Sequence, residues 1–377
     1  MVIVVVGGAG AMGKAAVREL VDHPEVEKIV IADVRLDAAR ALINQIGSDK
    51  LVACRVDVND APSLEAALRG ATVTVNCTWY EFNVGVMEAC LRANCHYVDL
   101  GGLYHVTKKQ LALHQQFEAA GLSAVLGMGA SPGMTNVCVG MALKRMDRIR
   151  GIHIRTGARG GKGFAYAART IIDELTLKPV IMLRGRLCEV EPFSGRERYV
   201  LPDPVGEVEG FYAIHSELAT LPNIPGITDV TFRVAFSPHL VAVADVLRDL
   251  GLLSSESVEI KGVWVSPKEF LYTYLSRLPE PTDLTEYKAF RVDVRGEEGG
   301  REVRRIYEIA VPSRPEWNLR ATAVWTGVPA ALGAVFVARG EVPPGVHAPD
   351  RALDCDDFSA ALATRGLSIR ESIAEVR

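Results

Sequence analysis

The sequence predicts an α/β protein: an N-terminal doubly wound parallel sheet of the Rossmann kind, followed by an α+β domain with a largely antiparallel sheet. Three observations carry this reading. A wholly apolar, β-branched run at residues 2–6 leads straight into glycines. Strand-like and helix-like segments then alternate until about residue 130. Beyond about residue 149 the strands change to apolar–polar alternation, the mark of sheets with one solvated face.

Each element follows from its pattern. After the first strand, Ala16, Val17, Leu20 and Val21 recur at helical spacing. "KIVIAD" supplies a second strand and residues 37–46 a second helix. "LVACRVDV" is a third strand, and a short helix opens at "NDAPS", where Asp60 suits the N-cap and Pro62 the first turn. "TVTVNCT" is a fourth strand, residues 84–93 a helix, "CHYVDLGG" a fifth strand, residues 108–120 a helix and "LSAVLGMG" a sixth strand. Pro132 is expected to start the next helix. In the second half "GIHIRTG", "VTFRVAF" and "VEIKGVWV" read as strands, and residues 239–250 and 268–278 as helices. Residues 290–294 and 303–311 flank "RGEEGG" as a hairpin. The expected division is a nucleotide-binding domain over 1–132, with a C-terminal return over 318–377, and a substrate and dimerisation domain over 133–317.

Composition narrows the function class. A chain of 377 residues, 49% hydrophobic, can bury two cores. Its formal charge of −4 offers no basic field to nucleic acid. Seven scattered cysteines with no CxxC read as free thiols of a reducing compartment, with no metal expected. The N-terminus lacks the charged region of a signal peptide. Residues 321–338 are uncharged and long enough to span a membrane. Gly327, Pro329, Gly333 and many alanines mark them instead as a tightly packed interior helix. The expectation is a soluble, cytoplasmic protein with no membrane or nucleic-acid partner.

Gly8, Gly10 and Gly13 form a GxGxxG between the first strand and the first helix. In that context the first glycine makes the turn, the second admits a pyrophosphate and the third allows close helix–strand packing. The phosphates then meet the helix N-terminus, at Ala11 and Met12. Asp33 ends the second strand, where a carboxylate takes both ribose hydroxyls, with Val34 beside it. It favours NAD over NADP, and Arg35 softens that preference. Asp57 and Val58, then Asn76, Cys77 and Thr78, then Asp99 to Gly102, with Gly101 among them, then residues 127–131 all fall just past predicted strand ends. Those ends line the ligand crevice of an open α/β sheet. Singly, such residues are ordinary turn chemistry. The three glycines of "LGMGASPGMTN" let backbone approach a ligand there.

These segments, with "VNCTWYEFN", "CHYVDLGG", "GMGASPGMTN" and "TGVPAALGAVFVARGEV", resemble the saccharopine dehydrogenase family. More narrowly they resemble its NAD(P)-dependent reductase branch, which includes saccharopine reductases, carboxynorspermidine dehydrogenases and lysine 6-dehydrogenases. The resemblance implies hydride transfer between a nicotinamide and a carbon bearing an amine. It also implies a homodimer formed through the second domain's sheet. The first two enzymes typically carry an aspartate before the Pro-Gly of the turn, where this chain has Ser131. Loss of that charge points to a simple amino acid, L-lysine, with a condensed secondary amine as the alternative substrate.

Amine oxidation needs a neutral nitrogen and hence a base. His215 in "YAIHSELATLP" is the first candidate, with Glu217 close to it; Asp99 and Tyr104 on the crevice edge are rivals. A substrate carboxylate asks for a guanidinium, and Arg155 and Arg159, with Lys162, lie on a glycine-rich segment. Cys77 reads as packing. Two other classes stay open: a dehydrogenase of other substrates on the same scaffold, and a nucleotide sensor without turnover.

Overall fold

The apolar runs of the first half become β1 (Val2–Val6), β2 (Lys28–Asp33), β3 (Leu51–Arg55), β4 (Val73–Asn76), β5 (His96–Asp99) and β6 (Ser123–Val125). A computed structural model describes residues 1–161, 163–164, 166–278 and 283–375. These strands pair in parallel in the order β6-β5-β4-β1-β2-β3. The order reverses between β1 and β4, the topological switch where such sheets open a crevice. Asp60 caps its helix through a bond from the Ser63 N–H at 3.4 Å.

Pro132 does not begin the following helix. Gly133 takes a φ of +126°, and the helix runs Met134–Leu143. A Cβ on Gly133 would lie 1.8 Å from the Gly129 carbonyl oxygen, so the turn folds back on itself before a helix can start.

The second sheet holds β7 (Arg148–Arg159), β8 (Val180–Leu183), β9 (Arg186–Glu189), β10 (Glu197–Leu201), β11 (Gly206–Tyr212) and β12 (Asp229–Ala235). The "VEIKGVWV" segment does not join it. It doubles back as β13 (Val258–Ile260) and β14 (Val263–Val265), a hairpin of its own. Lys261 and Gly262 take φ of 51° and 83°, the paired positive values of a type I′ turn. The second sheet resumes with β15 (Tyr287–Glu298) and β16 (Arg301–Pro312), joined at Gly299–Gly300. This hairpin is longer than expected because Arg295 to Glu298 keep pairing, across a bulge at Arg295/Gly296. The sheet is antiparallel except between β12 and β7.

The C-terminal segment serves both sheets. Of its helix Ala321–Ala338, 89% is buried, which makes it a core element here. A Cβ on Gly327 would lie 2.5 Å from the Met12 carbonyl oxygen and 2.6 Å from Ala15 Cβ, so the small residues let this helix touch the first one. β17 (Gly345–His347) then adds a seventh parallel strand beside β6. The last strand, β18 (Arg370–Glu375), leaves the first domain, unlike the return expected for 318–377, and pairs antiparallel with β16. Charge pairs of Arg370 with Glu308, at 3.0 Å, and of Glu371 with Arg305 fix it there.

Candidate active site between the two sheets

A cavity of about 820 Å³ opens between the carboxyl ends of the parallel strands and the inner face of the second sheet. That is large for a small-molecule site. Gly10, Ala11, Met12, Cys77, Thr78 and Gly101 line one wall. Thr156, Phe232, Val234 and Lys288 line the other, with Trp325 of the buried helix between them.

The glycine turn fits a dinucleotide. A Cβ on Gly13 would lie 2.4 Å from the Gly7 carbonyl oxygen, so helix and strand touch backbone to backbone. The turn itself falls to Gly7, at a φ of +73°, and not to Gly8 as expected. Gly8 is packed beneath, where its Cβ would meet the Val5 carbonyl oxygen at 2.9 Å. Helix Ala11–Val21 carries no acidic residue in its first turn, and its unpaired N–H groups face the cavity, as a pyrophosphate requires.

Asp33 sits at the end of β2 and braces this turn. Its carboxylate accepts the Ala9 N–H at 3.0 Å and the Arg35 N–H at 2.9 Å, while the exposed Arg35 guanidinium lies 3.6 Å away. Asp33, Val34, Arg35, Asp57 and Val58 stand outside the cavity wall. Val34 is exposed and Asp57 is bonded to Asn59. Asn76 shapes the next loop, accepting the Thr78 N–H at 3.1 Å and hydroxyl at 2.6 Å. Burial first, then the Asp99 charge, pushes the Cys77 thiol up to about 12, so it faces the cavity as a neutral thiol.

The structure brings His215, Glu217 and Ser131 together. His215 lines the cavity, stacked on Phe232 with ring centroids 3.7 Å apart. Its Nδ1 is bonded to Glu217, which leaves Nε2 for a molecule in the cavity. Glu217 is completely buried and also accepts the Ser131 and Thr135 hydroxyls, each at 2.8 Å. Burial alone would lower the His215 pKa, but the Glu217 and Glu174 carboxylates outweigh it and raise it. Burial opposes ionisation of Glu217 too, yet His215, a backbone N–H and the Ser131 hydroxyl hold its pKa down.

The other candidates lie elsewhere. Asp99 is completely buried and outside the cavity wall. It accepts the Gly101 N–H at 2.9 Å, the Gly127 N–H at 2.6 Å and the Tyr97 hydroxyl at 3.0 Å, tying three segments into one rim. Burial raises its pKa against those donors. Tyr104 points off the cavity, with the Lys108 ammonium 5.4 Å from its ring centroid. Thr156 faces the cavity, so pleating sends its neighbour Arg155 to the opposite face of the sheet. There it pairs with Asp293 at 2.7 Å and Glu197 at 2.8 Å. Arg159 donates to the Pro204 carbonyl at 2.9 Å, and Lys162 lies outside the described residues.

Wall residues that sequence reasoning passed over include Trp79, Tyr80, Glu174 and Lys288. The Tyr80 hydroxyl donates to Asp173 at 2.7 Å, which pins that wall to helix Ala168–Thr176. "VNCTWYEFN" was a visible motif for the first two; nothing marks Glu174 or Lys288 before the chain is folded.

Two family models match the chain: the saccharopine dehydrogenase NADP binding domain over residues 3–125 and the saccharopine dehydrogenase C-terminal domain over residues 129–367. The chain is 27% identical to a carboxyaminopropylagmatine dehydrogenase of Synechocystis sp., covering 99% of this chain and 98% of that protein. It is 26% identical to a carboxynorspermidine synthase of Vibrio cholerae, covering 96% and 94%. In fold it is similar to saccharopine dehydrogenase (L-Glu forming) of Saccharomyces cerevisiae, with a TM-score of 0.76 at 16% identity over 99% of both chains.

Proposed function

Because the chain belongs to the saccharopine dehydrogenase family, as an NAD(P)-dependent dehydrogenase acting on amine-bearing carbons, we propose that it oxidises or forms the secondary amine of a condensed, carboxylated polyamine. The observation that carries this reading is the His215–Glu217 pair set against a cavity that also holds the glycine cradle. The full-length relatives, by their names, handle carboxylated polyamines. The premise for L-lysine was an acid missing at Ser131. Ser131 instead holds the Glu217 carboxylate, so acid is present at that place after all.

Gly10, Ala11 and Met12 would hold the pyrophosphate of a nicotinamide dinucleotide, which when bound would supply the acceptor or donor of hydride for the carbon next to nitrogen. The protein's own groups do the rest. His215 Nε2 takes the proton of the substrate ammonium, which frees the nitrogen lone pair. Glu217 holds the resulting imidazolium and fixes the ring's tautomer. In the oxidative direction water then adds to the imine carbon and the C–N bond breaks, giving an aldehyde and a primary amine. The rim tied by Asp99 holds the backbone of Gly101 at the cavity wall and ties it to Gly127.

NAD is the proposed cofactor, with Asp33 as acceptor of the ribose hydroxyls. Arg35, exposed beside it, is the group that would serve the 2′-phosphate of NADP. A cytoplasmic homodimer is proposed as the working form. Support comes from apolar side chains left exposed on one unit, among them Val246, Leu250, Trp264 and Phe270.

The test mixes the protein with NAD or NADP and either carboxynorspermidine or L-lysine at alkaline pH, following reduced-nicotinamide absorbance. Reduction with carboxynorspermidine is expected. Reduction with L-lysine alone would return the substrate to a simple amino acid. Cofactor binding without turnover of either would favour another substrate or a sensor.

A further inference from the structure

Lys288 and Glu174 are two of the charged residues on the cavity wall that make no substrate contact in the chemistry above. Lys288 stands on β15, two residues from Phe290, whose strand partner Thr156 also lines the cavity. Its ammonium lies 5.8 Å from the ring centroids of both Tyr166 and Trp325. Among the described residues it donates no hydrogen bond and joins no salt bridge. The acid nearest in sequence is already engaged: Glu286 pairs with Arg320 at 3.0 Å and accepts the Thr322 N–H at 2.8 Å. Glu174, from helix Ala168–Thr176, accepts the Tyr166 hydroxyl at 2.5 Å through one oxygen. Its other oxygen has no donor among the described residues.

An ammonium and a carboxylate thus face one cavity, each within the other's field, without closing into a pair. Burial drives both toward neutrality, holding Lys288 below the usual lysine range and Glu174 above the usual carboxylate range. Charges kept apart in a partly buried site are costly unless a partner arrives. The smallest partner that satisfies both carries a carboxylate and an ammonium on one carbon.

We propose that Lys288 and Glu174 clamp the α-amino-acid head of the substrate, Lys288 taking its carboxylate and Glu174 its ammonium. The proposal rests on the dehydrogenase reading above and names the part of the substrate that reading left without a receptor. It also explains how a carboxylate is recognised although Arg155 and Arg159 point elsewhere, Arg320 is neutralised and Arg18 lies over the Trp317 ring, 6.0 Å from its centroid. The clamp shares a wall with His215, whose charge Glu174 also feels. The head is therefore anchored beside the proton-transfer group.

Binding tests this, with NADH present and tryptophan emission as the signal, since Trp79 and Trp325 line the cavity. Two ligand pairs differ only in the carboxyl group: L-lysine against 1,5-diaminopentane, and carboxynorspermidine against norspermidine. A third comparison, L-lysine against 6-aminohexanoate, differs only in the α-ammonium. The wild type should prefer the carboxylated member by about tenfold or more, the worth of one charge-assisted contact. Lys288→Met should abolish that preference with NADH affinity and thermal midpoint unchanged, and Lys288→Arg should restore part of it. Glu174→Gln should abolish the preference for the α-ammonium alone. A carboxylate preference that survives in Lys288→Met, or one absent from the wild type in both pairs, overturns the clamp. A carboxylate preference without turnover of carboxynorspermidine leaves the clamp standing and removes the condensed-amine substrate.

Discussion

Glu217 sets the charge of His215, and the consequence is a pH profile. The His215 pKa lies above its ordinary 6.5 because the Glu217 and Glu174 carboxylates overcome burial. Only the neutral ring accepts a proton, so kcat/KM for amine oxidation should rise with pH through that raised value. Glu217→Gln leaves burial less opposed and should move the rising limb toward acid by about one unit or more. An unmoved limb would place the titrating group elsewhere. The same pair shapes stability. His215, raised in the folded chain, contributes most below 6.5 and loses its contribution as pH climbs through the folded value. Glu217, depressed in the folded chain, contributes above 4.5 and loses its contribution as pH falls. Their joint contribution should therefore be largest between 4.5 and 6.5, which denaturant titrations of wild type and Glu217→Gln across pH can read. At the rim, Arg35→Ala should raise the KM for NADP about tenfold and leave that for NAD nearly unchanged. Equal losses for both cofactors would remove Arg35 from the 2′-phosphate. That His215 lines the cavity was legible because histidine is rare in an apolar stretch and an acid follows two residues later. That Asp99 lies buried outside the cavity wall was not legible, because a strand-end aspartate looks the same whether it points into a crevice or under it. Lys288 was invisible because an alternating strand carries solvated lysines in the same pattern, and its surroundings arrive from distant segments.

At the scale of elements, the turn after β6 is where backbone and site coincide. Gly127 and Gly133 take φ of +70° and +126°, and Pro132 covers Gly101 and Gly127 so closely that a Cβ on either would meet its ring below 3 Å. Gly133→Ala should therefore cost about 3–5 kcal/mol, combining backbone strain with a clash against the Gly129 carbonyl. Its denaturation midpoint measures this; a wild-type midpoint would mean the turn can open without loss. Parallel strands were readable because burial on both faces leaves unbroken apolar runs. "VEIKGVWV" was not, because alternation continues across Lys261–Gly262 and only a pair of positive φ values reveals the reversal. β18 was not legible either: its partner edge on β16 exists only once the long hairpin has formed.

For the whole molecule, the exposed apolar unit makes a prediction about assembly. Trp264 is 70% exposed on a two-stranded hairpin, which has little stability of its own in water. If this unit meets a second copy, sedimentation should show a dimer, and Trp264→Lys should shift it toward monomer without altering the fold's circular dichroism. A monomeric wild type would remove the homodimer. The two-domain organisation was legible from the change of strand grammar near residue 149. The interleaving of its C-terminal segment was not, since a chain can pack back on either sheet without changing its local pattern.

That interleaving also orders events in time. As a ribosome releases the chain, β6 emerges long before the buried helix Ala321–Ala338 and before β17. For roughly two hundred residues of synthesis, on the order of ten to forty seconds, the nascent nucleotide-binding half carries an unpaired edge and an uncovered apolar face. Exposed edges and apolar faces of that kind are where nascent chains aggregate, so the first half of this polypeptide is at its most vulnerable until its last segment is made.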